Sequence, residues 1–524
     1  MIDKEVLKEA LMDSAVITDE ELPSHANNRM TRLIQRVKDE YHFSMIQPDF
    51  DVTSEFDLVN DPFGAARRLI DSLLTATIKN DECILNGAVL DIYEGSETQP
   101  FLLRTAYFDI FELVLNGLQI PLRNYHNLVL GSPGIGKSFF HPFCLYVLIR
   151  ANAPVFFQKD DYSGLFYEGK LYKCKVPLAE STLLSGSNTW VLYDRKEPPN
   201  TISRKNVSIM VSSPKKERYW EYLKNSGCPG PFYMPLWSFA ELKHINPSLP
   251  ADLFVATDEE LKKRYEFCGG VPRYIFVNFS SYKDNYPQAL DSVKVHHLFI
   301  KEMMDIDDVS HRIFALQVPE NYYVCQLDFL SRKISFEVKE HFKPQKGAIL
   351  ARMVKEYYDG AISAVNESIY ADYGWEEFVP NVQFSMQSLG MDKTIGTLNI
   401  TDLAFGDIYG HTLDEVLWEP ELPAKLWIPC SRTFPCINGL LLFHSSRKAL
   451  GLHYTVSLHH PVPRDALAKL INHCGTKYGC EFCLVYVVPK ENFELFKQQG
   501  QTIEGKLCKP SEQVQCRQFK LELL

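Results

Sequence analysis

The chain has 524 residues, a net charge of −11, 45% hydrophobic and 23% charged residues. At roughly 100–200 residues per domain this length implies about three units, and the balance excludes a disordered chain, a collagen-like repeat and a disulfide miniprotein. An acidic chain binds nucleic acid only through a local basic face, so the global charge argues against DNA or RNA as the main partner.

The 13 cysteines are odd in number and have no framework spacing. They read as reduced thiols, which places the chain in the nucleus or cytoplasm. Met1–Pro23 is acidic and lacks an apolar core, so it does not read as a secretory signal. The longest apolar stretch, 139–157, is interrupted by His141, Arg150 and Asn152 and reads as a buried helix and strand, with no membrane span.

In chain order, residues 1–60 read as a helical N-terminal region. Ile2–Met12 and Met30–Tyr41 have helical spacing, and Gln47–Pro62 reads as a linker rich in Asp and Pro. Residues 61–335 form the next expected domain. Phe63–Gln119 reads as mostly helical, with Phe101–Gly117 stopped by Pro121. Then His126–Leu130 predicts a buried strand, Phe139–Arg150 a buried helix and Pro154–Gln158 a strand. Gly164–Val176 predicts a hairpin around Glu168 and Gly169, and Thr189–Tyr193 and Val207–Val211 two more buried strands. This alternation predicts an α/β fold with a parallel sheet covered on both faces. Pro214–Asn225, Ser238–His244 and Asp258–Phe267 read as helices, the last with Thr257 as N-cap. A boundary is expected near 335–350. The third domain, 336–524, carries a helix at Ala348–Glu367 and strands around Leu426–Ser457.

Between the first strand and helix of the middle domain stands Gly131-Ser132-Pro133-Gly134-Ile135-Gly136-Lys137-Ser138, followed by Phe139. It fits the phosphate-loop pattern G-x-x-x-x-G-K-[ST] at every fixed position. The glycines let backbone N–H groups approach phosphate oxygens. Lys137 supplies a point charge for the β and γ phosphates, and Ser138 a hydroxyl for Mg²⁺. The helix that begins here adds its N-terminal dipole. Asp194, ending the run Trp190–Tyr193, is placed to hold Mg²⁺ opposite Ser138. The expected cofactors are therefore a nucleoside triphosphate, ATP or GTP, and Mg²⁺. Many such sites place Glu directly after this Asp, whereas Arg195 follows here and Glu197 is out of register, so slow hydrolysis is expected.

Ser213, after the strand Val207–Val211, has two readings: a polar group sensing the γ-phosphate, or an N-cap for a helix at Pro214. Arg273, in Gly269-Gly270-Val271-Pro272-Arg273-Tyr274, reads as a lid arginine reaching phosphate or as a surface arginine.

The loop, Trp190–Asp194, Val211–Pro214 before Glu217–Lys224, Tyr233–Leu242 and Arg264–Tyr274 stand in the order in which they occur in Crinkler effectors and retrotransposon hot spot proteins. Over about residues 100–470 the chain resembles that family. The resemblance implies an AAA+/STAND-type P-loop NTPase with a helical lid, joined to a restriction-endonuclease-like α/β domain. It implies Lys137 and Ser138 on the nucleotide, Asp194 on Mg²⁺, Ser213 as the sensing residue and Arg273 as the lid arginine. Arg264 matches a recurring basic position. The resemblance also favours ATP as the nucleotide and the nucleus as the location, with DNA or host nuclear proteins as partners. A homo-oligomer is admitted, because AAA+-like sites often borrow an arginine from a neighbouring subunit.

The family's nuclease pattern wants Asp where this chain has Asn438, and an acid–x–Lys or a Gln near His453–Thr455. A neutral amide is a poor Mg²⁺ ligand, so this unit is expected to be degenerate. Glu356 reads as a surviving acid or as a solvated carboxylate. His473, Cys474, Cys480 and Cys483 read as buried thiols more simply than as a zinc site. Lys215, Lys216 and Arg218 beside Tyr219 and Trp220, with Arg195, Lys196, Arg204 and Lys205 near in sequence, read as a basic aromatic surface for nucleic acid or as a solvated helix face. The leading expectation is thus a slow ATPase controlling a nuclease-like unit. The rivals are an ATP-gated DNA-cleaving nuclease and a non-hydrolysing, nucleotide-stabilised interaction protein.

Overall fold

The computed structural model describes residues 26–40, 52–61, 64–79, 84–86, 88, 101–119, 126–159, 162–175, 181, 189–194, 206–226, 228, 230–251, 253–299, 311–318, 322–358, 364–374, 382–389, 395–400, 403–410, 424–429, 436–443, 446–503 and 506–523. The expected helix Ile2–Met12 and the basic positions Arg195, Lys196, Arg204 and Lys205 lie outside them, as does Glu197. The chain divides into two units. One comprises Met1–Leu261, Gly270–Phe279 and Tyr322–Cys325, and the other Lys262–Gly269, Ser280–Asn321 and Gln326–Leu524. Both are mixed α/β.

The first unit is built on an eight-stranded sheet. Its strands are β1 Phe56–Leu58, β5 His126–Leu130, β6 Val155–Lys159, β7 Tyr162–Tyr167, β8 Lys170–Cys174, β9 Trp190–Asp194, β10 Val207–Ser212 and β11 Pro231–Tyr233, in the order β1-β8-β7-β6-β9-β10-β5-β11. The five strands β6-β9-β10-β5-β11 are parallel, and β7, β8 and β1 are added antiparallel at one side. The sheet is therefore mixed rather than wholly parallel. Parallel strands need both faces covered, and the runs that form them are apolar on both sides. On one face Leu128, Leu130, Phe156, Val191, Tyr193 and Met210 pack with Tyr219 and Tyr222. On the other, Trp190 stacks on Phe111 with ring centroids 5.8 Å apart. The helix Lys137–Arg150 is buried from Phe140 through Ile149, which explains a run that is apolar except for His141.

The hairpin turn falls at Glu168 and Gly169, with φ of 48° and 73°. Positive φ at both central residues is the geometry that matches strand twist in a two-residue turn.

Three expectations are corrected. The proposed linker contains a helical turn, Val52–Glu55, and β1, because Phe56 is fully buried in the sheet core. The mostly helical stretch after it carries the helices Ala65–Thr75 and Thr105–Gln119, but also a small sheet of β2 Thr77–Lys79, β3 Ile84–Asn86 and β4 Phe101–Leu102. Pro214–Asn225 is a short 3₁₀ turn, Lys216–Arg218, and then the helix Trp220–Ser226. In the N-terminal region, Ala26–Glu40 is helical.

The second unit has a two-stranded ribbon, β12 Phe314–Gln317 with β13 Gln326–Phe329, and a second eight-stranded mixed sheet. Its strands are β14 Val382–Ser388, β15 Ile395–Ile400, β16 Leu403–Gly410, β17 Ala424–Pro429, β18 Gly439–Phe443, β19 Lys448–Tyr454, β21 Glu481–Pro489 and β24 Arg517–Leu523. The order is β15-β14-β24-β21-β19-β18-β17-β16, with β19, β21 and β24 mutually parallel. The helix Arg464–Tyr478 packs its Leu467, Leu470 and Cys474 into the core of this sheet. A small sheet of β20 Val462–Pro463, β22 Gln501–Ile503 and β23 Lys506–Leu507 stands beside it in sequence. The helix expected at Ala348–Glu367 is two helices, Lys346–Tyr358 and Ala364–Gly374. Glu356 falls on the first, and its side chain lies outside the described residues.

Candidate nucleotide site

Because β6, β9, β10, β5 and β11 are parallel, their carboxyl ends share one sheet edge. Their registers align Lys159 with Asp194, Ser212 with Leu130, and Leu130 with Tyr233. Ligands of open α/β sheets bind outside this edge, where loops leave the strands. The segment 131–136 leaves β5 here and opens the helix Lys137–Arg150.

The loop's shape follows from its glycines. Gly134 and Gly136 have φ of 83° and 88°, values that other residues adopt only with strain. A side chain at Gly134 would also meet Arg273 Cβ at 3.0 Å, and one at Gly131 would meet Ile135 Cδ1 at 2.8 Å. Donors outside the turn hold its carbonyls. Lys137 Nζ donates to Ser132 O at 2.7 Å, Trp237 Nε1 to Ile135 O at 2.8 Å, and Tyr107 Oη to Gly136 O at 3.0 Å. The Arg273 amide approaches Gly134 O at 3.4 Å. In a trans peptide N–H and C=O point opposite ways, so the holds on Gly134 O, Ile135 O and Gly136 O turn the amides of Ile135, Gly136 and Lys137 away from these donors, the orientation an anion nest requires; no amide follows Ser132 O, because Pro133 has none. The dipole of the helix start adds to it, although the Phe139 amide is already spent on Gly136 O at 3.0 Å. Ser132 and Ile135 are buried, and Pro133, Ser138 and Phe139 are half-buried. The Phe139 ring rests 5.9 Å from that of Phe101.

Lys137 is the charge of this cradle. Desolvation pushes its ammonium down to about 7, partly offset by the Asp194 carboxylate and assisted by the charges of Arg273 and Arg218. The residue is only half-buried, so solvent tempers the shift, and its downward direction follows from desolvation outweighing the single carboxylate. Asp194 ends β9 with Oδ2 buried and without a hydrogen bond, although Lys159 Nζ lies 3.3 Å away as an ionic contact. Ser212 Oγ and Ser213 Oγ are likewise buried without hydrogen bonds. Ser213 is not a helix cap: the 3₁₀ turn starts after Lys215, and no side chain caps it.

Arg273 opens a π-helical turn, Arg273–Val277, closed by the Asn278 amide on the Arg273 carbonyl at 2.8 Å. Such turns widen a helix locally and are frequent at functional sites. The turn is fastened to the loop through Trp237, whose amide donates to Gly270 O at 2.9 Å. Only glycine fits there, since a Cβ on Gly270 would lie 2.0 Å from Trp237 O. Arg104 holds Trp237 in turn. It donates to Leu236 O at 3.0 Å and to Glu241 at 2.8 and 3.1 Å, with its guanidinium 4.9 Å over the Trp237 ring. Glu241 and Ser238 form a capping box on the helix Phe239–Ile245.

The structure thus gathers Gly131–Phe139, Asp194, Ser213 and Arg273 in one unit. It adds Tyr107, Trp237, Arg104, Lys159 and His141, which sequence reasoning did not place at this site, and Arg218, which it read as part of a basic aromatic surface or a solvated helix face. His141, one turn along the helix from Lys137, is fully buried, and burial pulls it down to about 4 against the Asp194 carboxylate. Neither ring nitrogen makes a hydrogen bond of ordinary geometry, although the Ile209 backbone approaches.

The remaining candidates sort as follows. Arg264 is half-buried on the helix Asp258–Cys268, in the second unit. Tyr219 is buried and Trp220 is 46% exposed under Lys216 Nζ, 4.3 Å from the ring centroid. Asn438 Oδ1 accepts from the Tyr454 amide at 2.7 Å, and Asn438 O from Arg332 at 3.3 Å. Cys474, Cys480 and Cys483 are buried and their thiols are shifted up by desolvation, Cys474 to about 12. His473 Nε2 sits 3.3 Å from Tyr478 Oη. Among the described residues no three His, Cys, Asp or Glu side chains converge as a metal cluster, and no helix is long and apolar enough to cross a membrane.

No family model matches the chain, and no solved structure matches it. Two curated relatives are Crinkler effector protein 15 and Crinkler effector protein 16 of Phytophthora infestans. Each is 30% identical over 198 residues, which is 37% of this chain and 30% of the relative. The chain therefore spans about 30% of the length of these relatives. Over that stretch the chain is similar to Crinkler effector proteins.

Proposed function

We propose that the chain is a Crinkler-like P-loop ATPase that binds ATP with Mg²⁺, hydrolyses it slowly, and controls a nuclease-like C-terminal unit that no longer cuts. The observation that carries this reading is the glycine loop. Its carbonyls at 135 and 136 are held by Trp237 and Tyr107 at 2.8 and 3.0 Å, which turns the Gly136 and Lys137 amides of the same trans peptides the other way, towards an anion. The site also suits the metal. Asp194 Oδ2 and Ser213 Oγ are buried polar atoms without hydrogen bonds, and Ser138 stands at the start of the helix. Mg²⁺ commonly takes one or two such protein oxygens and leaves its other positions to phosphate and water.

In this reading the loop amides and Lys137 bind the β and γ phosphates, and Ser138 and Asp194 hold the metal, which would neutralise phosphate charge. Ser213 and Arg273 face the γ-phosphate, and Arg273 is positioned by the Trp237–Gly270 bolt. Arg195 stands where a general base is usual, which supports slow turnover. The C-terminal unit is read as restriction-endonuclease-like in shape. Its Asn438 side chain is spent on the Tyr454 amide, a structural use that replaces metal binding. ATP rather than GTP, the nuclear location, and DNA or nuclear proteins as partners are part of the proposal and rest on the family resemblance alone.

Phosphate release by the purified chain with Mg²⁺, compared with Lys137→Ala, tests the ATPase. The variant should fall to background. Equal rates in both proteins would end this reading.

A further inference from the structure

Among the described residues, Lys159 is a charged side chain at the strand ends to which the nucleotide reading gives no role. It closes β6 directly across from Asp194, with Nζ 3.3 Å from Oδ2 and the two side chains only 17% and 14% exposed. The same oxygen makes no hydrogen bond of good geometry. The contact is thus an electrostatic hold and not a fixed bridge. A lysine suits such a role, because its ammonium is a point charge on a flexible stem, whereas arginine would clamp a carboxylate in two places. An ammonium and a divalent cation on one carboxylate oxygen repel strongly where water is partly excluded.

We propose that Lys159 is the resident cation of the Asp194 carboxylate, keeping divalent metal off the nucleotide-free site until a triphosphate delivers it. This rests on the nucleotide reading above and deepens it with a regulation of the same site. The triphosphate brings its own negative charge, which attracts the metal and gives the displaced ammonium a new counter-charge. Metal without nucleotide has neither advantage and must compete with Lys159.

The test is Mn²⁺ binding to the full chain without nucleotide, read from the free-Mn²⁺ electron paramagnetic resonance signal. Lys159→Met should tighten Mn²⁺ by about five- to tenfold, the effect of removing a competing charge from a partly buried pair. Lys159→Arg should bind no tighter than the parent. Adding Asp194→Asn to Lys159→Met should abolish the gain, since the coupling runs through that carboxylate. If Lys159→Met does not fold by circular dichroism, Lys159→Gln serves in its place. Unchanged or weaker Mn²⁺ binding in a folded variant overturns the proposal, and so does a gain that survives Asp194→Asn. A parent that binds no Mg–ATP would instead sink the nucleotide reading, which the nucleotide-free Mn²⁺ titration does not touch.

Discussion

His141 gives a stability prediction that is independent of any ligand. The ring is fully buried on the helix Lys137–Arg150, and its pKa falls from 6.5 to about 4, chiefly through burial. A base with a lower pKa when folded is neutral in the native state and protonates in the unfolded chain first. Its contribution is therefore fully present above the unfolded value of 6.5 and is lost as pH falls towards the folded value of about 4. Linkage over that window gives a loss of about 2 kcal/mol between neutrality and about pH 5, rising to about 3 kcal/mol near the folded value. His141→Leu keeps the volume approximately and removes the titration. Urea unfolding followed by tryptophan fluorescence, at both pH values, reads the difference. The parent should lose about 2 kcal/mol more than the variant on acidification. At neutral pH the variant should be as stable or more so, since two buried nitrogens without hydrogen bonds of ordinary geometry have gone. Equal acid losses in both proteins would refute the account of this residue.

Four further predictions follow from the site. Phosphate should favour the Lys137 ammonium, whose pKa desolvation lowers in the free site, so nucleotide binding should take up protons at alkaline pH and weaken as pH rises. Calorimetry in two buffers of different ionisation enthalpy checks this. Gly134→Ala should cost about 1 kcal/mol of stability from its positive φ and reduce nucleotide affinity more than tenfold, measured by unfolding and by titration. Trp237→Phe removes the donor to Ile135 O and should weaken nucleotide binding by about 1–2 kcal/mol with the fold retained by circular dichroism. Plasmid nicking with Mg²⁺ or Mn²⁺ should be absent in the parent, and Asn438→Asp should not create it, because the acid–x–Lys or Gln expected near His453–Thr455 is also missing.

The glycine loop and its tight turn were legible because its residues are contiguous: glycines, lysine and serine lie within eight residues. Four of the five parallel strands were legible as short, mostly apolar runs; β11, three residues long, was not. What holds the loop was not legible. Trp237 lies 102 residues from the carbonyl it binds, and Arg104 lies 137 from Glu241, so only folding brings them together. Phe56 hid in a segment whose Asp and Pro suggested a linker, yet one buried aromatic at a sheet edge decided its structure. Lys159 and His141 look like an ordinary strand-end lysine and a polar break in an apolar run. Their meaning comes from Asp194, on a different strand.

The most direct test is calorimetric titration of the folded chain with Mg–ATP, with Lys137→Ala as its partner. The account predicts saturable binding at one nucleotide per chain in the parent and its loss in the variant. A well-folded parent that gives no heat of binding with Mg–ATP, or a variant that binds as tightly as the parent, would contradict it.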